Sequence, residues 1–74
     1  MKHNVVDARG RSCPEPVVMT KNAIDKFDGQ PIEVLVDAMV AVENIKRFAR
    51  NQGFDVEVIK NEEDYTLIIR HEHN

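Results

Sequence analysis

The sequence has no tryptophan and only one cysteine, and both scarcities restrict what the protein can be. With three phenylalanines and one tyrosine in 74 residues, it offers few aromatic rings on which nucleic-acid bases could stack. A single cysteine, Cys13, cannot form an intramolecular disulfide, and without further ligands it cannot hold a structural zinc ion. The fold must therefore be stable through its apolar core alone. Cys13 is then either a small buried side chain or a reactive thiol.

Long hydrophobic runs and a positive charge balance are also missing. The longest fully apolar run, Ala38 to Val42, is far shorter than the roughly 18 residues that a membrane span needs, and no signal-peptide pattern follows the N-terminus. Ten basic and thirteen acidic residues give a formal charge of −3, which disfavours nucleic acid as a partner. We therefore predict one cytoplasmic domain, residues 1–74, with no membrane insertion and no direct nucleic-acid binding.

The hydrophobic pattern predicts six elements in the order β-α-β-α-β-β. Residues 4–7 are predicted to form a short strand, and apolar residues alternate at 32–36, 54–58 and 65–69, as is typical of strands. Between them, helical spacing predicts one helix from Pro14 to about Asp28, stopped by Gly29, and a second helix closed by Gly53. The stripe that the first helix buries is expected to contain Val17, Thr20, Ala23, Ile24 and Phe27.

This element order predicts an α+β fold, a two-layer α/β sandwich. A four-stranded mixed sheet would carry both helices on one face, because right-handed crossovers place them on the same side. The opposite face of the sheet is expected to be partly apolar through Leu35, Ile59 and Ile68, which stand there among polar residues.

The segment from Asp7 to Pro16 carries the chemical signal. If Cys13 is the N-cap of the first helix, the helix dipole and the exposed N–H groups of the first turn favour its thiolate. Pro14 at the first helical position and Pro16 behind it lack an N–H, which leaves Glu15 as the obvious capping donor. A cysteine placed in a polar loop before a helix is poorly placed to fill a core. A reactive thiol is therefore at least as plausible as a buried one.

The pattern Asp-x-x-Gly-x-x-Cys-Pro-x-Pro resembles the signature of the TusA/SirA family of small sulfur-carrier proteins. Here it consists of Asp7, Gly10, Cys13, Pro14 and Pro16. The resemblance extends to about residue 70 and is closest to the N-terminal domain of YedF-type proteins, which are linked to selenium metabolism. One departure is Ala38, where the family often has Asp or Asn; Asp37 is therefore expected to cap the second helix instead.

The resemblance implies a sulfur carrier of sulfurtransferase type. Cys13 would accept sulfane sulfur as a persulfide from a cysteine desulfurase or another sulfurtransferase and pass it to a downstream acceptor protein. No metal and no organic cofactor is implied. Pro14, Pro16, Asp7 and Gly10 would position the thiol. Electrostatic or partner contacts are expected from the nearby side chains Arg9, Arg11, Glu15, Val18 and Lys21.

Three other functions stay open at this point. In a binding or regulatory module without chemistry, Cys13 would merely cap a helix, and Cys13→Ser would keep full function. An RNA-binding domain is suggested by a similar element order in the C-terminal domain of a bacterial translation initiation factor, although charge and aromatic content oppose it. A monothiol redox protein would yield a mixed disulfide rather than a persulfide. The lone cysteine argues against a thioredoxin-like function, which needs Cys-x-x-Cys.

Overall fold

The computed structural model describes residues 4–12 and 14–71. Within them lie six elements: β1 (Asn4–Asp7), α1 (Glu15–Asp25), β2 (Ile32–Val36), α2 (Met39–Asn51), β3 (Phe54–Lys60) and β4 (Tyr65–His71). The predicted order of elements is confirmed. Neither helix has the length and apolarity needed to cross a membrane, a statement that covers the described residues.

The four strands form one mixed sheet in the order β1-β2-β4-β3. β1 and β2 are parallel and are joined through α1, since parallel neighbours need a crossover. β4 is antiparallel to both β2 and β3, so it separates two strands that α2 connects along the chain. Val6 lies opposite Val34, and Val34 lies opposite Leu67, which places these three side chains on one face. The predicted mixed sheet is therefore confirmed.

Both helices cover the face of the sheet on which the buried strand residues lie. The buried strand positions alternate as predicted, with Ile32, Val34 and Val36 in β2 and Leu67 and Ile69 in β4. α2 packs its apolar stripe of Ala41, Val42, Ile45 and Ala49 against them, and the half-buried apolar residues of α1 complete the core. On the opposite face Leu35 and Ile68 are half-buried and Ile59 is exposed, so that face is partly apolar, as expected.

The predicted boundaries of α1 were wrong at both ends. The helix begins at Glu15, and Pro14 is its N-cap with φ −98° and ψ 15°, so the assignment of Cys13 as N-cap fails. The N–H of Glu15 donates to the carbonyl of Ser12 at 2.8 Å, which closes a turn before the helix. Cys13 itself lies outside the described residues.

At its other end, α1 stops at Asp25 instead of about Asp28. The N–H groups of Lys26 and Phe27 donate three residues back, to Ala23 and Ile24, and this tightens the last turn. The chain then turns through Gly29 at φ +99°. Phe27 leaves the helical stripe, and its ring packs against Phe54 instead.

α2 ends as predicted but begins without the expected cap. Gly53, at φ +88°, follows the helix and reverses the chain in a conformation that favours glycine. At the start, Ala38 is the N-cap, and no side chain caps the helix. Asp37 is therefore not the cap that the sequence predicted, because its carboxylate accepts a hydrogen bond from another loop.

Candidate functional site

The motif residues described by the structure gather at one end of the sheet. β1 and β2 are parallel, so both deliver their carboxyl ends there, and the turn between β3 and β4 lies at the same end. We call this region the loop end; it consists of residues 7–12 with Asp37 and Asp64. The loop that precedes Cys13 therefore lies near two other connections that the sheet fixes in place, the corner after β2 and the turn between β3 and β4.

At the loop end, Arg9 links the end of β1 to the turn between β3 and β4. Its Nε donates to Oδ1 of Asp7 at 2.9 Å and its Nη2 to Oδ2 of the same carboxylate at 2.9 Å. Its Nη1 reaches Oδ2 of Asp64, in the β3–β4 turn, at 3.2 Å. Hydrogen bonds from the side chain and backbone N–H of Arg9 lower the pKa of Asp7 from 3.8 to about 2. Asp7 therefore binds Arg9, and its role in positioning the thiol stays a prediction.

Gly10 and Ala8 attach the middle of the loop to β2 and its following corner. The N–H of Gly10 donates to Oδ2 of Asp37 at 2.9 Å, and Gly10 has φ +76°, where glycine is favoured. Ala8 is buried, and its N–H donates to the carbonyl of Leu35 at 2.8 Å, which extends the ladder beyond β1. Sequence reasoning missed both Ala8 and the role of Asp37. The signal for Ala8 was the alternation that continues from Val6.

The two prolines of the motif differ in burial. Pro14 is exposed, while Pro16 is buried and its carbonyl accepts a hydrogen bond from Oγ1 of Thr20 at 2.8 Å. Glu15 was expected to donate its N–H toward the cysteine, but that N–H is bound to Ser12. The expectation of Glu15 as the capping donor was therefore wrong. Pro16 anchors the start of α1 in the core, and Pro14 forms the exposed corner beside Cys13.

The three cations expected to add positive potential near Cys13 each have a carboxylate partner. Besides the pairs of Arg9, Arg11 lies 3.8 Å from Glu15, and Lys21 lies 3.1 Å from Asp25. Lys21 therefore points along α1 away from its start. These pairs are exposed and individually weak. Their carboxylates offset locally the positive potential that the sequence suggested.

Exposed apolar side chains lie where the two helices begin. Val18 in α1, and Met39 and Val40 in α2, are exposed large apolar residues. Both helices follow carboxyl ends of parallel strands, so both begin at the loop end of the sheet. Their exposure agrees with the sequence-based expectation for Val18. Its contact with a partner stays a prediction.

A groove between the two helices opens beside the motif. It has a volume of about 340 Å³ and is lined by Pro14, Val17, Asn44, Arg47, Phe48 and Asn51. Phe48 is only half-buried and Arg47 is exposed.

No group of three or more His, Asp or Glu side chains within residues 4–12 and 14–71 is arranged to hold a metal ion.

Comparisons with known proteins give a consistent result. The family model described as "Sulfurtransferase TusA" matches residues 4–71. A protein of Methanocaldococcus jannaschii, provisionally named a sulfur carrier, is 40% identical over 65 residues, covering 86% of this chain and 87% of that protein. YrkI of Bacillus subtilis, which is also provisionally named a sulfur carrier, is 34% identical over 53 residues, covering 70% of this chain and 71% of YrkI. The crystal structure of a SirA-like protein from Desulfitobacterium hafniense superposes with a TM-score of 0.83 at 29% identity, covering 92% of this chain and 97% of that one.

Proposed function

We propose that this chain, which belongs to the TusA sulfurtransferase family and is a sulfur carrier, holds its sulfur as a persulfide on Cys13 and relays it to a partner protein. The donor would be a cysteine desulfurase or another sulfurtransferase, and the acceptor a downstream protein of the same sulfur pathway. A reducing cytoplasm, where thiols stay reduced, is the compartment that suits such a carrier.

The transfer is an exchange between sulfur atoms. The thiolate of Cys13 attacks the outer sulfur of a donor cysteine persulfide, so a new S–S bond forms on Cys13 while the donor's S–S bond breaks. The donor cysteine leaves as a thiolate, the outer sulfur keeps its proton, and no external oxidant is consumed. Delivery to the acceptor repeats this exchange with the roles changed. The chemistry needs an accessible thiolate and needs no cofactor.

The observation that carries the proposal is the exposure of the chain on both sides of the cysteine. Ser12 and Pro14 are both exposed, and the loop before them is attached to the sheet by Ala8, Gly10 and Arg9. Such a loop is accessible from outside and fixed in position. A carrier needs both properties, since two different partners must reach the same sulfur.

The absence of a second cysteine supports the same function. A resolving cysteine close by would attack the persulfide and release its outer sulfur, leaving a disulfide. Cys13 is the only cysteine in the 74 residues, so a persulfide on it has no internal thiol to discharge it. The carrier can therefore keep its sulfur until an external thiol or an acceptor arrives.

The relay is tested by loading and discharging the protein in sequence. Incubation with a cysteine desulfurase and cysteine should add one sulfur atom, about 32 mass units, which persists after the donor is removed. Adding a thiol should restore the original mass, and Cys13→Ser should never gain the adduct. If desulfurases, rhodanese-type donors and inorganic polysulfide all fail to load the protein, the proposal is wrong and a binding module is the better account.

A further inference from the structure

The groove between α1 and α2 combines an apolar floor with polar walls. Val17 and Phe48, both half-buried, provide the apolar surface. Asn44 and Asn51 present side-chain amides, which pair with the backbone of a bound segment as readily as with water. Nη1 of Arg47 lies 3.5 Å from Oδ1 of Asn44, a long contact that leaves its other N–H donors available. The groove is thus suited to a chain segment with both apolar and polar groups.

The charge of α2 is opposite to that of the whole chain. The helix carries three basic residues and one acidic residue, whereas the full sequence has a formal charge of −3. Lys46 is paired with Glu43 at 4.0 Å. Arg47 and Arg50 form no ion pair with any carboxylate of the part of the chain that the structure describes. Two guanidinium groups are therefore ready to bind an external carboxylate.

A second hollow continues the groove along α2. It has a volume of about 350 Å³ and shares Arg47 and Asn51 with the groove. Its other lining residues are Arg50 and the paired side chains of Lys46 and Glu43, so its net charge is positive. The basic surface therefore runs from Arg50 through Arg47 to Pro14. Pro14 directly follows Cys13 in the sequence, so this surface begins one residue along the chain from the cysteine.

We propose that this surface binds an acidic segment of the protein that donates sulfur to Cys13. An acidic side chain of the donor would pair with Arg47, with Arg50 extending the contact, and an apolar neighbour would rest on Val17 and Phe48. This inference rests on the proposed function, because it names the partner of that same thiol. The charge of the surface selects an acidic occupant, and the adjacency of Pro14 ties that occupant to the sulfur exchange.

The test compares a protein donor with a small one. Arg47→Glu, at an exposed position, is measured against Lys26→Glu, which makes the same charge change at the far end of α1. Loading is followed by intact mass with a cysteine desulfurase plus cysteine, with a rhodanese-type donor plus thiosulfate, and with inorganic polysulfide. Circular dichroism would check that both variants remain folded.

With the protein donors, we expect Arg47→Glu to raise the donor concentration for half-maximal loading about tenfold. Loading of the unchanged protein should also fall more steeply with salt than loading of Arg47→Glu. Polysulfide should load all variants equally, because it needs no docking surface. Lys26→Glu should behave like the unchanged protein with every donor.

Several results would overturn the proposal. Equal loading of Arg47→Glu and Lys26→Glu by the protein donors would show that the groove does not bind them. Slower delivery to an acceptor with unchanged loading would assign the groove to the acceptor instead. Loading by polysulfide but by no protein donor would still support a persulfide on Cys13, but it would refute a donor site in this groove. Failure of the unchanged protein with every donor, polysulfide included, would refute the proposed function itself.

Discussion

The two ends of the sheet are held together by different kinds of contact. At the loop end, Asp7, Arg9, Asp37 and Asp64 attach the Cys13 loop through ion pairs and hydrogen bonds, all of them exposed. At the opposite end, which we call the aromatic end, the rings of Phe27, Phe54 and His71 pack together. Phe27 and Phe54 meet edge to face with centroids 5.0 Å apart, and His71 lies 5.4 Å from Phe54.

The larger cavity does not lie beside the motif. A cavity of about 530 Å³, lined by Phe27, Gly29, Pro31, Arg70 and His71, lies at the aromatic end, whereas the groove beside Pro14 measures about 340 Å³. A carrier that exchanges sulfur with other proteins needs an accessible thiol more than an enclosed pocket. Cavity size by itself favours the end of the sheet away from the motif. We predict that the aromatic end contributes more to the stability of the fold and that the loop end positions Cys13 for sulfur exchange.

The largest change in the free energy of unfolding should come from removing a ring at the aromatic end. Phe54→Ala removes a buried ring and should lower the free energy of unfolding by about 3 kcal/mol, measured by urea denaturation. Val58→Ala, on the same strand but at an exposed position, should lower the free energy of unfolding by less than about 1 kcal/mol. Equal losses for the two variants would mean that the aromatic contacts add nothing to stability.

A smaller, matched effect should follow from removing one carboxylate at each end. Asp37 accepts the N–H of Gly10 at 2.9 Å, and Asp28, near the aromatic end, accepts the N–H of Gln30 at 3.1 Å. Because both bonds are exposed, Asp37→Ala and Asp28→Ala should each lower the free energy of unfolding by about 1 kcal/mol or less. A loss above about 3 kcal/mol for Asp37→Ala would show that the loop end stabilises the whole domain.

The sequence was sufficient for the fold but only partly for the site. Alternating and helical apolar spacing predicted both helices and the last three strands, because burial on one face imposes those periods. The end of α1 was misplaced, since Phe27 continues the helical spacing in sequence yet packs on Phe54, a tertiary contact. Asp37 was misassigned for a similar reason. A carboxylate before a helix suits a cap, and only the folded chain brings Gly10 close to it.

The cations near the motif show the same limit. Their positions in sequence suggested positive potential around Cys13, but the carboxylates that pair with them come partly from elsewhere. Asp64 lies 55 residues from Arg9 along the chain and meets it only through the β3–β4 turn. Long-range pairs of this kind leave no periodic signal in a single sequence.

The smallest expected effect is a shift in one titration. Hydrogen bonds from Arg9 lower the pKa of Asp7 to about 2. The Asp7–Arg9 pair therefore stabilises the fold fully above pH 3.8, and this stabilisation is lost as the pH falls through about 2. Carboxyl NMR should give a midpoint near 2 for Asp7. Arg9→Gln should raise it toward 3.8, while Lys21→Gln should leave it unchanged. A midpoint near 4 in the unchanged protein would contradict the Asp7–Arg9 contact.

The central claim is that the loop end, and not the aromatic end, positions Cys13. Its most direct test is the rate at which Cys13 gains sulfur. Intact-mass measurements would follow loading by a cysteine desulfurase in the unchanged protein, Asp37→Ala and Asp28→Ala under identical conditions, with Cys13→Ser as the blank. We predict that Asp37→Ala loads several-fold more slowly, because its loop loses an attachment, while Asp28→Ala loads at the unchanged rate. Equal rates for the two variants, or an adduct on Cys13→Ser, would contradict the account.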